Sequence, residues 1–309
     1  MKYSLLFLVV LLNIHVFGQP YEYVYKNSSD SSYNCYLKIL PETKTVSGLV
    51  IRDFSSLPDM KRPSPYRLYT LCSQKGIMTI YTVSSNSFPE FFCSDSAMYR
   101  LDEMVAEVVK KHNIPNENIF IGGISASGTR AFRYAQFCEQ GKSRYGIKIN
   151  GVFAADPPLD LARFYQSVVE HGQYFKAGML EEANLMKVVF PKLFKGPPAQ
   201  NKKAFQDASV FTHDDSQGGN AGLLKNVDII IYHEPDIDWW LEERGASYYD
   251  INSFDVAAFA VKLKNLGNTD VTIVTTSGRG FDSKGKRNCH SWTIVNEDEL
   301  FAWLIARLR

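Results

Sequence analysis

The segment "IFIGGISASGTR", residues 119–130, carries two serines one residue apart among small neighbours. It opens as a short apolar run and narrows through a Gly/Ser turn. It then continues into "SGTRAFRYAQFCEQGK", residues 127–142, which reads as a helix. Strand, sharp turn and helix are the setting a G-x-S-x-G nucleophile elbow requires. Such a turn is strained, so the residues two before and two after the serine must be small. Around Ser125 the flanks are Gly123 and Ser127, whereas around Ser127 they are Ser125 and the β-branched Thr129. Ser125 is therefore the better candidate nucleophile. Ser127 stands where the motif wants glycine, and Gly128 follows it. The elbow would aim the Ala126 N–H at a developing oxyanion. A plain Gly/Ser turn reads the same five residues equally well, so the rest of the chain has to decide.

Outward from the elbow, elements of two periods alternate. Residues 34–40, 47–54, 77–83, 118–124, 149–156, 227–233 and 270–277 read as strands. "IMTIYTV", residues 77–83, is a nearly continuous apolar run of the kind buried on both faces. Residues 63–76, 95–113, 127–142, 253–268 and 296–309 read as helices. In 95–113, Met98, Leu101, Met104, Val105, Val108 and Val109 recur at helical spacing, with lysines closing the end. The alternation predicts an α/β fold, with a mostly parallel sheet flanked by helices. The stretch at about 159–225 breaks it. Residues 160–172 and 181–190 read as helices and 194–203 and 214–222 as loops, which predicts a helical cap inserted between two strands. Insertions at strand C-terminal ends often cover the functional crevice. Residues 21–35, polar and aromatic, are expected to be loosely held.

The 309 residues, 45% hydrophobic, suffice for a sizeable core. A net charge of +1 points to neither nucleic acid nor an anionic membrane surface. Residues 1–18 join a basic Lys2, an apolar run from Leu5 to Leu12 and a small Gly18. That is the pattern of a secretory signal, cleaved near Gly18 to leave a chain of residues 19–309. The apolar run is short for a membrane span, so no stable anchor is expected. Export, to a periplasm or the outside, permits disulfides. The five cysteines are odd in number, widely spaced and without a CxxC, which argues against a zinc site and leaves one or two bridges open. No metal or organic cofactor is expected.

An activated serine needs a base, and the base an orienting acid. His171 and His213 fall in the insertion, and His233 ends a strand. His290 sits in a polar loop between the last strand and the last helix, where the order Ser…Asp…His places its base, with Trp292 as an aromatic wall. The acid is expected after the preceding strand. "IIIYHEPDIDWW", residues 229–240, offers Asp236, with Asp238 close behind; Asp282 in the His290 loop is a third choice. A second oxyanion donor is expected from the loop after "LVIRDF", at the Ser55 or Phe54 N–H. Arg279, Lys284, Lys286 and Arg287 cluster before His290. They read either as a solvated loop or as a receptor for a substrate carboxylate.

The elbow "IFIGGISASGTRA", the acid after "IIIYHEPD" and "CHSWTIVNEDEL" before a last helix together resemble the α/β-hydrolase superfamily. The elbow resembles those of secreted esterases, polyester depolymerases and prolyl-oligopeptidase-type domains. The resemblance covers most of the chain from Cys35 on, less the insertion. The sequence departs from the pattern at Ser127 and in lacking a His-Gly after "LVIRDF". The resemblance implies a serine hydrolase acting through an acyl-enzyme on Ser125, with Asp236 and His290 completing the triad. The expected substrate is a carboxylic ester, small or linked to a polysaccharide. A peptidase of prolyl-oligopeptidase type and an inactive binding protein of the same fold are the alternatives.

Overall fold

The computed structural model describes residues 20–27, 29–62, 67–87, 94–282 and 284–309. The expected leader, Cys93 and the first residues of the 63–76 helix lie outside them. The eight strands are β1 (Tyr21–Tyr25), β2 (Cys35–Ile39), β3 (Gly48–Asp53), β4 (Ile77–Val83), β5 (Ile119–Ile124), β6 (Gly151–Ala155), β7 (Asp228–His233) and β8 (Val271–Thr275). They form one sheet in the order β1-β2-β4-β3-β5-β6-β7-β8. From β4 to β8 every pairing is parallel, and β2 alone runs against the others.

Burial on both faces explains the apolar runs. Successive side chains of a strand point to opposite faces. Ile119, Ile121, Val152, Ala154, Ile229 and Ile231 enter one core, while Phe120, Phe153, Ala155, Ile230 and Tyr232 enter the other. The first core is closed by the apolar stripe of α2 (Asp95–His112), by α3 (Ala126–Glu139) and by α7 (Asn252–Asn265). The second is closed by α1 (Leu68–Gln74) and α8 (Glu297–Ile305). β5, where the elbow reading began, lies inside the sheet between β3 and β6.

Two expectations are revised. Residues 21–25 are not loose: all five pair with β2. The strand is hard to read because it is an edge strand with no buried face to impose alternation. Its Glu22 instead reaches the buried Lys38 ammonium at 2.8 Å. The open question of disulfides is answered for four cysteines: Cys35, Cys72, Cys138 and Cys289 are free thiols. No described helix is long and apolar enough to cross a membrane.

Between β6 and β7 lie α4 (Leu161–His171), α5 (Ala177–Leu193) and α6 (Lys202–Ala208). The last occupies part of the stretch read as loop. Phe164, Phe190, Phe194 and Phe205 give these helices a core of their own, which also takes in Trp240 and Cys289. The unit is tied to the sheet layer through charge. Arg163 on α4 donates from Nε and Nη2 to the two oxygens of the buried Asp255 on α7, at 2.6 and 2.8 Å. His213 Nε2 lies 3.0 Å from the same carboxylate.

Candidate active site

Ser125 is the residue after β5 and the N-cap of α3, with φ 53° and ψ −128°. A non-glycine residue in that region costs on the order of 1–3 kcal/mol, and such strain concentrates at functional sites. The small flanks are needed. A Cβ on Gly122 would lie 2.2 Å from Phe153 of β6, and one on Gly123 would lie 2.5 Å from the Ser127 Cβ. Ser127 is itself buried against the turn, whereas Ser125 lines the cleft. The elbow is held from behind by α3. Arg130, fully buried, donates from Nε to Asp53 at the end of β3 (3.1 Å) and from Nη2 to Ser84 Oγ. Asp53 also accepts from Thr82 Oγ1 and Ser84 Oγ.

His290 and Asp236 do not meet as expected. His290 places Nδ1 2.5 Å from Asp156 Oδ2. Asp156 is the residue after β6, and Ile124 and Ala155 are the last register pair of β5 and β6. Ser125 and Asp156 therefore stand at the same height on neighbouring strands. Asp156 shares the elbow's signature, a positive φ of 46°. Its backbone is tied down on both sides: its N–H donates to Tyr232 O at 2.8 Å, and its carbonyl accepts from Asn252 Nδ2 at 2.9 Å.

Asp236 and Asp238, the acids chosen from sequence, are elsewhere engaged or exposed. Asp236 caps a short helical turn, accepting from the Trp239 N–H at 3.1 Å, and pairs with Arg287 at 2.7 Å. Asp238 faces solvent in that turn, and Asp282 caps its own loop by accepting from the Lys284 and Lys286 amides. Glu234, buried at the end of β7, takes Thr276 Oγ1, the Arg279 N–H and the Arg287 guanidinium. The basic cluster before His290 is thus bound in part by β7 carboxylates and in part exposed. Glu234, Asp236 and Cys289 present ligand atoms within 4.8 Å of one another, as a metal would need. That place holds the Arg287 guanidinium, and burial pushes the Cys289 thiol up to about 11.

Ser125 and His290 line one cleft of about 200 Å³ together with Phe164, Met179, Glu182, Trp240, Arg244, Asn252 and Asn288. No hydrogen bond joins Ser125 to His290, and such contacts often tighten only with substrate bound. With Nδ1 given to Asp156, His290 keeps Nε2 for the cleft. The aromatic wall beside its ring is Trp240, edge-on at 6.2 Å, and not Trp292, which stacks on the Arg52 guanidinium at 3.8 Å. Burial alone would depress the His290 pKa. The Asp156 hydrogen bond and charge, with a smaller contribution from Glu182, outweigh burial and hold it above its ordinary 6.5.

Donors for an oxyanion follow from α3. Ala126 is its first residue, so its N–H has no partner within the helix and sits at the positive end of the dipole. The Phe54 N–H is spent on Thr82 O at 2.8 Å, which removes it as the second donor. Ser55 remains in the bend after β3. Its neighbours Phe54 and Ser56 line a second cavity with Ile124, the residue before Ser125.

No protein-family model matches the chain, and no curated protein matches it in sequence. Solved structures do. A fungal esterase from Rhizomucor miehei is 14% identical, with a TM-score of 0.58 over 94% of this chain and 84% of that one. A thermostable esterase from Pseudomonas putida is 17% identical, with a TM-score of 0.55 over 94% and 83%. The acylaminoacyl peptidase of Pyrococcus horikoshii is 15% identical, with a TM-score of 0.54 over 84% of this chain but 37% of that one. The chain spans little more than a third of the length of the peptidases it matches. At these identities the likeness defines the architecture: the chain has the α/β-hydrolase fold.

Proposed function

We propose that the protein is a serine hydrolase that cleaves a carboxylic ester through an acyl-enzyme on Ser125. The observation that carries this reading is the His290–Asp156 pair. It stands at the ends of the sheet strands, and its histidine shares a cleft with a strained serine at a helix N-terminus. His290 Nε2 takes the Ser125 Oγ proton as Oγ attacks the acyl carbon. Asp156 holds the Nδ1–H tautomer and stabilises the imidazolium. The negative charge that forms on the carbonyl oxygen is received by the Ala126 N–H, with the Ser55 N–H as second donor. The alcohol leaves with the proton from His290. Water, deprotonated by the same nitrogen, then releases the acid.

The cleft limits what fits. At about 200 Å³ it falls below the range of drug-sized pockets, so the group held under the cap is small. Trp240 and Phe164 form an apolar wall, and Asn252, Asn288, Glu182 and Arg244 supply hydrogen-bonding groups around it. That mixture suits a short acyl group on a hydroxyl-rich alcohol, such as a carbohydrate-linked ester. The same reading keeps the chain as an exported protein starting near Gln19, which N-terminal sequencing of the secreted product tests.

The function is tested with a p-nitrophenyl ester of a short acid and a fluorophosphonate label located by peptide mass spectrometry. Turnover and an adduct on Ser125, both lost in Ser125→Ala and His290→Ala, are expected. A folded protein that neither turns over short esters nor labels at Ser125 would leave the fold as a binding scaffold. Cleavage of N-acylated peptides without ester turnover would favour a peptidase.

A further inference from the structure

The acid of the pair is only half used. Asp156 Oδ2 meets His290, while Oδ1, equally buried, has no hydrogen-bond partner among the described residues. A buried carboxylate oxygen left bare is costly, and native structures seldom leave one so. On the neighbouring strand the complementary defect occurs. His233 ends β7 and is 5% exposed; its Nε2 lies 2.7 Å from Thr275 Oγ1, and its Nδ1 has no partner. Ala155 is in register with Tyr232, so Asp156 and His233 are the next pair along two adjacent parallel strands. An unpartnered carboxylate oxygen and an unpartnered ring nitrogen thus belong to register neighbours at the strand ends.

We infer that His233 is a positioning residue for the reaction: its Nδ1–H, across one bridging water, is the second donor to Asp156. This rests on the reading of Asp156 and His290 as the working pair. The proposal assigns His233 the Nδ1–H tautomer, in which Thr275 Oγ1–H donates to Nε2 and the single ring proton of a neutral imidazole stands on Nδ1. Burial keeps His233 neutral by depressing its pKa, with the Asp156 charge opposing that in part. The arrangement is a line running Thr275, His233, Asp156, His290, Ser125. A neutral donor on Oδ1 does two things. It stops the carboxylate from rotating away from His290, and it draws off part of the charge that His290 feels. Asp156 is the charged group acting on His233. Glu234, next in sequence, directs its carboxylate to Thr276, Arg279 and Arg287.

The test compares His233→Leu, His233→Asn and Thr275→Val with the wild type. It measures kcat and KM against pH on the p-nitrophenyl ester, with thermal melts to establish folding. Outer partners of orienting groups act on activity by about 10- to 100-fold. His233→Leu should lose kcat on that scale with KM unchanged, and its acid limb should move to higher pH as Asp156 presses its full charge on His290. Asn carries an amide N–H close to where Nδ1 stands and should restore most of both. Thr275→Val alters an exposed position, so it makes the test even if His233→Leu does not fold. Freed of its donor, Nε2 can take the proton, and the acid limb should again rise. A folded His233→Leu or Thr275→Val protein with wild-type kcat and an unmoved acid limb overturns the inference. Should the wild type turn over no ester, the ester reading fails separately. The pair is then read from the NMR titration of His290 in the free protein, where an identical His290 pKa in wild type and variant also overturns it.

Discussion

Two neighbouring strand ends of this sheet each carry acidic residues, and only one of them reaches the histidine. At the end of β6, Asp156 is buried, strained and hydrogen-bonded to His290. At the end of β7, Glu234 and Asp236 are held by Arg287, three residues before His290 on the same loop. The loop thus divides its cation and its imidazole between two strands. A carboxylate already neutralised by a guanidinium has little left with which to orient a base. A buried carboxylate with no cation beside it can hold an imidazolium at full strength. In the proposed mechanism Asp156 serves as the acid, and Arg287 occupies the other strand end.

Exchanging the acids one at a time is the sharpest way to break this comparison. Asp156→Asn should lower kcat by about 10³- to 10⁴-fold, because an amide at that place favours the wrong imidazole tautomer. Asp236→Asn should leave kcat nearly intact, and the reverse ranking in steady-state rates would return the role to β7. The next effect falls on the elbow's support. Arg130→Met leaves the buried Asp53 carboxylate without its cation and should cost about 3–5 kcal/mol of stability, read as a fall in denaturant midpoint. Arg287→Ala should cost less, about 1–3 kcal/mol, since Glu234 keeps Thr276 Oγ1 and the Arg279 N–H; a melt measures it. The smallest effect is on pH dependence. His290 works as a base only when neutral and its pKa is raised, so kcat/KM should fall as pH drops through a value above 6.5. Glu182 contributes to that raise, so Glu182→Gln should move the acid limb to lower pH. A limb that stays put would show that the cap carboxylate does not act on the base.

Much of this was legible from residue patterns. The apolar runs of β4 and β5 and the helical spacing of 95–113 follow from burial on two faces and on one stripe. The preference for Ser125 over Ser127 rested on the size of the flanks; in the structure Ser127 closely approaches Gly123, and Phe153 closely approaches Gly122. Asp156 left a fainter mark. It stands in "FAADPPLD", an aspartate at the end of a buried strand just before two prolines. A polar residue ending such a strand is ordinary, so its meaning could not be separated from that of Asp236. The edge strand β1 and the Phe54 amide were missed for a related reason: both are defined by the backbone partner they find, on which side-chain pattern is silent.

By itself the sequence determined the alternation of strand and helix, the strained serine between them, and the loop that carries His290. These are local consequences of side-chain size, branching and polarity. Which carboxylate meets His290, which cation cancels the others, and which second histidine stands beside Asp156 were decided only by the tertiary structure. Residues 134 positions apart, such as Asp156 and His290, come within 2.5 Å through the order and register of strands. That order is set by packing the whole sheet between its two layers of helices.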